Sequence, residues 1–223
     1  MLDTQIVTGG TNPKRCRPTS GRDEVCDSTY GNNGWLGLAQ IWVTGGHITQ
    51  GITKLNDTYF NTSTYNTTAW RNLVSCQEVG HTFGLDHQDE NFDNANLGTC
   101  MDYTRDPGTN QHPNQGDYDE LLCIYDPATN GKTLSTTTHS CKGTGHLDST
   151  TTVGANVASK VPSGDLNNPS AWGRLIRESA DGREAVFERD LGPSADPAHR
   201  GEPEKMITFV RYTEEEAAKH KKA

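Results

Sequence analysis

The chain has 223 residues, a net charge of −9 and a mean hydropathy of −0.77, which is enough for one sizeable domain with a small appendage. No apolar run approaches the roughly 18 residues of a membrane-spanning helix, so a membrane span is excluded. Between His81 and Glu120 there are nine acidic residues and one basic residue, Arg105. Phosphate would be repelled there, which argues against a nucleic-acid partner and favours bound cations or a solvated acidic face.

The cysteine pattern indicates disulfides. There are six cysteines and no CxxC pair: Cys16, Cys26, Cys76, Cys100, Cys123 and Cys141. An even number without CxxC spacing favours three disulfides over a thiolate zinc site. Sequential pairing is the simplest arrangement and gives 16–26, 76–100 and 123–141. Disulfides require an oxidising compartment, so we expect a secreted, extracellular protein, although the first ten residues do not resemble a signal peptide.

The sequence pattern of the first third of the chain predicts β-structure. The apolar run 34–46 ends in paired glycines, and the alternating run 51–60 follows it, so the two are expected to pair. The segment between Cys16 and Cys26 has the composition of a disulfide-closed loop. N-x-S/T sequons, which accept glycans in a eukaryotic secretory pathway, occur at Asn56, Asn61 and Asn66.

After Thr67 the spacing of the apolar residues changes from that of a strand to that of a helix. Apolar residues recur at helical spacing, Thr67 or Thr68 is a suitable N-cap, and Gly84 is a suitable C-cap, so we predict a helix over 69–83. A long polar loop is expected over 88–111 and a second helix over 114–126.

The C-terminal third contains three strand-like runs separated by Gly/Pro turns, after a Thr/Gly/Ser-rich connection that carries little structural signal. The runs are AWGRLIRES (171–179), REAVFERDL (183–191) and KMITFVRYT (205–213), and a charged helix is expected over 214–223. This region predicts a small β-rich extension.

Residues 77–87 carry the chemical signal. Gln77 and His81 are four residues apart and therefore share one face of the predicted helix, with Glu78 beside them. Gly84 ends the helix and allows His87 to return towards that face. Three protein ligands, an open position for water and a nearby carboxylate are what a hydrolytic zinc site needs.

The segment Q-E-V-G-H-T-F-G-L-D-H (77–87) resembles the metzincin signature H-E-x-x-H-x-x-G-x-x-H at every fixed position except the first. Met101, in TCMDYT, resembles the methionine of the Met-turn. The resemblance covers roughly residues 5–126 and is closest to the matrixin-like, secreted microbial members.

The resemblance implies an α+β fold. The expected parts are a twisted mixed sheet with an antiparallel edge strand, an active-site helix, a Met-turn and a C-terminal helix. The metzincin-like domain would span 1–127, followed by a connection over 128–160 and the β-rich extension over 161–223.

The resemblance also implies an activity, that of a monomeric, secreted zinc endopeptidase with a peptide or protein substrate bound along the edge strand 35–42. His81 and His87 would be zinc ligands, and Glu78 would be the general base. Tyr103 would assist the oxyanion, or else would pack beneath the loop with its hydroxyl satisfied.

Gln77 departs from the signature, and three alternatives follow. Gln77 ligates zinc through its amide oxygen; another group, from His47, His112 or an acid of 86–93, replaces it; or the zinc site is lost and the domain is a catalytically silent binding module. The other residues of the motif, Glu78 among them, all match the signature. Their presence favours a metal-bound enzyme with Gln77 facing the metal.

Two further features concern the loop after the motif. Asp89, Glu90, Asp93 and Asn94 follow the third ligand closely, a set of oxygen ligands compatible with a structural calcium site, although their spacing is not that of an EF-hand. A 76–100 disulfide would tie the metal-binding helix to the Met-turn across this loop.

Overall fold

A computed structural model of the protein describes residues 4–125, 161–162, 164–195 and 199–221. In these residues the chain forms an α+β fold with one six-stranded sheet and four α-helices. The strands are β1 (Asp23–Ser28), β2 (Trp35–Thr44), β3 (His47–Asn56), β4 (Arg174–Glu178), β5 (Glu184–Pro193) and β6 (Pro203–Tyr212). The helices are α1 (Asp57–Phe60), α2 (Thr68–Thr82), α3 (Gln115–Tyr125) and α4 (Glu214–His220).

The sheet is mixed, as predicted, and its strand order is β1-β3-β2-β6-β5-β4. β1 and β3 are parallel, and all other neighbouring pairs are antiparallel. The predicted pairing of the two N-terminal runs is confirmed as the β2–β3 hairpin. β1 was not predicted, because its short sequence was interpreted as part of the loop closed by Cys16 and Cys26.

The prediction that residues 35–42 form an edge strand is wrong. β2 is hydrogen-bonded to β3 along one side and to β6 along the other. All ten of its residues are buried. An unbroken apolar run without alternation is typical of a strand covered on both faces, which is how β2 lies. A peptide therefore has no free side of β2 on which to add a strand.

The C-terminal strands continue the same sheet. The region 161–223, expected to form a small extension, contributes β4, β5 and β6, and β6 lies directly against β2. The largest core cluster joins the two halves of the chain through Trp35 and Trp42 of β2, Trp172, and Met206 of β6. The predicted connection 128–160 lies outside the described residues.

The predicted helices over 69–83 and 114–126 hold to within one residue at each end, and the helix expected over 214–223 begins at Glu214 and ends at His220. The Thr67 side chain accepts a hydrogen bond from the backbone N–H of Trp70 at the start of α2. At its end, Leu85 N donates to Gly80 O and Gly84 N donates to His81 O, the pairing of a Schellman motif. α3 and α4 were also predicted. No helix in the described parts of the chain is long and apolar enough to cross a bilayer.

The end of the second predicted strand is helical instead. The Asn56 side chain accepts a hydrogen bond from Thr58 N and begins α1 over residues 57–60. Asn56 is fully buried, and its amide also donates to the carbonyl of Trp35. It is thus not accessible to glycosylation in the folded chain, whereas Asn61 and Asn66 are exposed.

Two of the three predicted disulfides are confirmed, Cys16–Cys26 and Cys76–Cys100. Cys123 is also disulfide-bonded, but Cys141, its predicted partner, lies outside the described residues. The Cys76–Cys100 bridge joins α2 to the segment that carries Met101, as expected.

A buried carboxyl group attaches the end of α2 to β1. The Thr82 hydroxyl lies 2.6 Å from Oδ2 of Asp23 and 2.7 Å from the carbonyl oxygen of Val79. A hydroxyl has one hydrogen, so a protonated Asp23 can donate to Thr82 while Thr82 donates to Val79. Burial raises the pKa of Asp23 to about 6; the bond to Thr82 opposes the shift and the charge of Glu24 adds to it.

We expect Asp23→Asn to stabilise the protein at pH 7 by up to about 3 kcal/mol. The pKa of this carboxyl rises from 3.8 to about 6 on folding, and a difference of one in pKa corresponds to about 1.36 kcal/mol. The unfolded carboxyl ionises near pH 4 and the folded one near pH 6, so the stability of the native protein falls as the pH rises through this window. The amide keeps a donor to Thr82 and carries no charge.

Thermal unfolding at pH 4 and pH 7 measures this effect. The gain from Asp23→Asn should be present at pH 7 and nearly absent at pH 4. Asp190→Asn, at an exposed site on β5, is the matched control and should behave as the native protein at both pH values. An Asp23→Asn protein that melts no higher than the native protein at pH 7 contradicts the assignment.

Candidate metal centre

The turn after α2 brings the two predicted histidine ligands together. Gly84 has a φ of +89°, a left-handed conformation that glycine adopts without strain. The chain reverses there, and the ring centroids of His81 and His87 lie 4.6 Å apart with their planes nearly perpendicular. The spacing of the motif is therefore realised as a contact between two imidazoles.

His81 is fixed in one tautomer. Its Nδ1 lies 2.9 Å from the carbonyl oxygen of Leu85; because a carbonyl only accepts, Nδ1 carries the hydrogen and Nε2 carries the lone pair. The ring also stacks on Phe209 of β6, with centroids 4.1 Å apart. Burial, together with the charge of His87, lowers the pKa of His81 to about 3, so it is neutral, as a metal ligand must be.

His87 is a buried side chain without a hydrogen-bond partner. Its side chain is 1% exposed, and neither ring nitrogen is hydrogen-bonded within the described residues. The nearest acid, Oδ1 of Asp86, is 3.5 Å from Nδ1, an electrostatic contact too long for a good hydrogen bond. Asp86 is instead paired with Arg177 of β4. Neither nitrogen of this buried ring has a hydrogen bond, so one of them is available to bind a ligand such as a metal ion.

Gln77 lies on α2, the helix that carries His81, but its side chain is hydrogen-bonded to Arg211 of β6. Its Oε1 accepts a hydrogen bond of 2.9 Å from Nη1 of Arg211, and its Nε2 has no partner in the described structure. Arg211, on β6, is 1% exposed. It also donates to Oε1 of Glu184 on β5 and to the carbonyl oxygen of Thr104, each at 2.6 Å. Sequence reasoning missed Arg211 and Glu184, because a charged residue within an apolar strand does not reveal its partner.

Glu78 is buried between α2 and β2. Its Oε2 has no hydrogen-bond partner in the described chain. Burial raises its pKa well above the usual range; the charge of Glu184 adds to this, while Arg211 and a backbone hydrogen bond from Ala39 oppose it. Gly37 of β2 makes room for the carboxyl, since a Cβ there would lie 2.6 Å from Oε1.

Met101 packs against α2, and Tyr103 packs against His87. Met101 is fully buried, and a Cβ on Gly80 would lie 2.6 Å from its sulfur, so the glycine allows the helix to approach the Met101 segment. The Tyr103 ring packs edge-on against His87, with centroids 4.4 Å apart. Burial, together with the charges of Glu184 and Glu90, raises the pKa of Tyr103. Its phenol therefore stays protonated and can act as a donor.

Comparisons with protein-family models, with curated proteins and with solved structures found no match. The resemblance to metzincins therefore rests on residues 77–87 and Met101.

Of the reserve ligands, His47 and His112 lie elsewhere, whereas Asp86 and Glu90 lie beside His87. His112 is exposed. His47 is buried, with its ring 5.8 Å from that of His199. Ligand atoms of Asp86, His87 and Glu90 lie within 4.8 Å of one another, but Arg177 is paired with both acids.

The acids proposed for calcium have other contacts. Asp93 is paired with Arg105 at 2.6 Å, and Oδ1 of Asp89 accepts from the backbone N–H of Asn91. Glu90 is paired with Arg177 at 2.8 Å. The calcium site stays a prediction.

Zinc fits this donor set in part. His81 offers an unprotonated Nε2, and His87 offers two buried, unpartnered nitrogens, which are suitable zinc ligands. The Gln77 oxygen already accepts a bond from a cation, so it does not fit in the same way. Exchanging the oxygen and nitrogen of the amide does not help, because Nε2 and Arg211 are both donors.

Proposed function

We propose that the protein is a secreted zinc-dependent endopeptidase in which His81 and His87 hold the metal and Glu78 is the general base. The observation that carries the proposal is the buried His87 ring, which is in contact with His81 and whose two nitrogens have no hydrogen bond among the described residues. A buried polar group without a partner is costly, and a metal ion bound to the ring would remove that cost. The two confirmed disulfides are compatible with an extracellular protein.

The side chains around the imidazoles support hydrolysis. When bound, zinc supplies a Lewis acid for the scissile carbonyl and lowers the pKa of water. Glu78 is buried and its pKa is raised, so its carboxylate is a stronger base than an ordinary one and is suited to take a proton from water and return it to the leaving amine. The neutral Tyr103 phenol can donate to a developing oxyanion. The peptide is no longer placed along β2, since both sides of that strand are paired.

A second candidate is a catalytically silent module that binds a protein partner. The bond between Gln77 and Arg211 favours it, because a guanidinium at the first signature position replaces part of the expected ligand set. The burial of the proposed catalytic side chains also favours the binding module, since Glu78 and His81 are each 1% exposed. In such a module, Glu78 would have no role in turnover.

Zinc binding and cleavage should be measured on the same preparation. We expect one zinc per chain, cleavage of unfolded casein that stops with a chelator, and recovery when zinc is restored. His87→Ala should weaken zinc binding, whereas His112→Ala, at an exposed histidine, should not. Zinc without cleavage favours the binding module, and a chain that binds no zinc contradicts the proposal.

A further inference from the structure

The Gln77 side chain is part of a buried bridge between the helix, the sheet and the Met101 segment. Arg211 of β6 is nearly inaccessible to solvent and donates to Gln77 on α2, to Glu184 on β5 and to the carbonyl of Thr104. Its guanidinium also lies 5.7 Å from the centre of the Trp70 ring. One cation therefore connects four parts of the chain, and Gln77 is its contact on the helix that carries Glu78 and His81.

The position of Arg211 conflicts with a metal on the Gln77 oxygen. Zinc bound to that oxygen at about 2.0–2.2 Å would lie within about 5 Å of Nη1, because Nη1 is 2.9 Å from the same oxygen. Two cations at that separation in a buried site repel each other strongly. Glu184 balances the charge of Arg211, so the same carboxylate does not also balance a divalent ion.

The bridge also explains why an amide stands at position 77. The side chain there has to be a neutral acceptor, since Glu78 and Glu184 already place two carboxyl groups near Arg211. Glutamine meets this need with its carbonyl oxygen. A neutral histidine has one acceptor nitrogen, and using it for Arg211 would remove it from a metal.

We propose that Arg211, and not the metal, is the partner of the Gln77 carboxamide, and that Arg211 is a positioning residue that fixes α2 against β5, β6 and the Met101 segment. The part of this inference that concerns zinc rests on the proposed function, with His81 and His87 as the ligands. The pairing of Gln77 with Arg211 stands without it.

Two substitutions at position 77 separate a ligand from a positioning contact. Zinc titrations by calorimetry should give dissociation constants for Gln77→Met and Gln77→His that stay within about tenfold of the native value, a change smaller than loss of a metal-site residue produces. Weakening beyond tenfold by Gln77→Met, or tightening beyond tenfold by Gln77→His, would overturn the inference.

A second series removes the guanidinium. Arg211→Met combined with Glu184→Gln deletes both charges of the pair, and adding Gln77→His should then tighten zinc binding by about tenfold or more relative to that background. No tightening would overturn the claim that Arg211 keeps position 77 from the metal. If the double variant does not fold, the Gln77→Met and Gln77→His titrations in the native chain decide the question.

Thermal unfolding in a chelator tests the pairing without metal. Gln77→Met should lower the melting temperature of the native chain, because Arg211 loses a buried acceptor. The same change should have little effect in the Arg211→Met/Glu184→Gln background. Equal effects in the two backgrounds, or none in the native chain, would overturn the pairing. A chain that binds no zinc but shows this coupling would refute the proposed function and leave the pairing intact.

Discussion

Replacing Glu78 by glutamine is expected to lower peptide cleavage by about 10²–10⁴-fold, the usual contribution of a general base. The amide has the size of the carboxyl but cannot accept a proton from water. Zinc affinity should be little changed, because the proposed ligands are His81 and His87. Initial rates on a fluorogenic peptide, together with zinc titrations of the same samples, measure the two effects separately.

The stability of Glu78→Gln provides an independent check on the environment of the carboxyl. The folded pKa of Glu78 is raised, mainly by burial, so ionised Glu78 destabilises the fold and this cost grows as the pH rises above the unfolded value. The amide removes it, and we expect a higher melting temperature at neutral pH.

Glu188→Gln is the matched control for Glu78→Gln. Glu188 lies on β5, where its carboxyl is paired with Lys205 and Arg174 away from the imidazoles. The Glu188→Gln protein should cleave the peptide at the native rate. Full activity of Glu78→Gln alongside an active Glu188→Gln would rule out Glu78 as the base.

Removal of the Cys76–Cys100 disulfide by paired serine substitutions is expected to cost about 3 kcal/mol in stability, from the loop that it closes in the unfolded chain. The bridge also holds α2, which carries His81, beside the segment of Met101 and Tyr103. We therefore expect weaker zinc binding as well, because loss of support around the ligands lowers metal affinity. Urea unfolding and zinc calorimetry measure the two effects.

The Cys16–Cys26 disulfide is the matched control for that experiment. It closes a shorter loop, with a sequence separation of 10 against 24, and lies in the core cluster of the sheet with Trp35 and Leu38. Its removal should also destabilise the protein but should leave zinc affinity unchanged. Equal losses of zinc affinity in the two disulfide variants would show that the effect is general destabilisation.

The sequence predicted local structure well where the signal is local. The helix of residues 68–82, its cap at Thr67 and its end before Gly84 follow from apolar spacing and backbone preference. The three C-terminal runs were recognised as strands for the same reason. β1 was missed because it begins within a segment that has the composition of a disulfide-closed loop, and its pairing with β3 is a long-range contact.

Sequence alone established that His81 and His87 would meet, because helix geometry and a left-handed glycine are encoded within seven residues. It also identified two disulfides that the fold confirms. Only the tertiary structure decided that β2 lies inside the sheet and that Gln77 bonds to Arg211. Those contacts join residues separated by 134 positions or more, and pairing at such separations depends on how all the strands assemble, not on any local pattern.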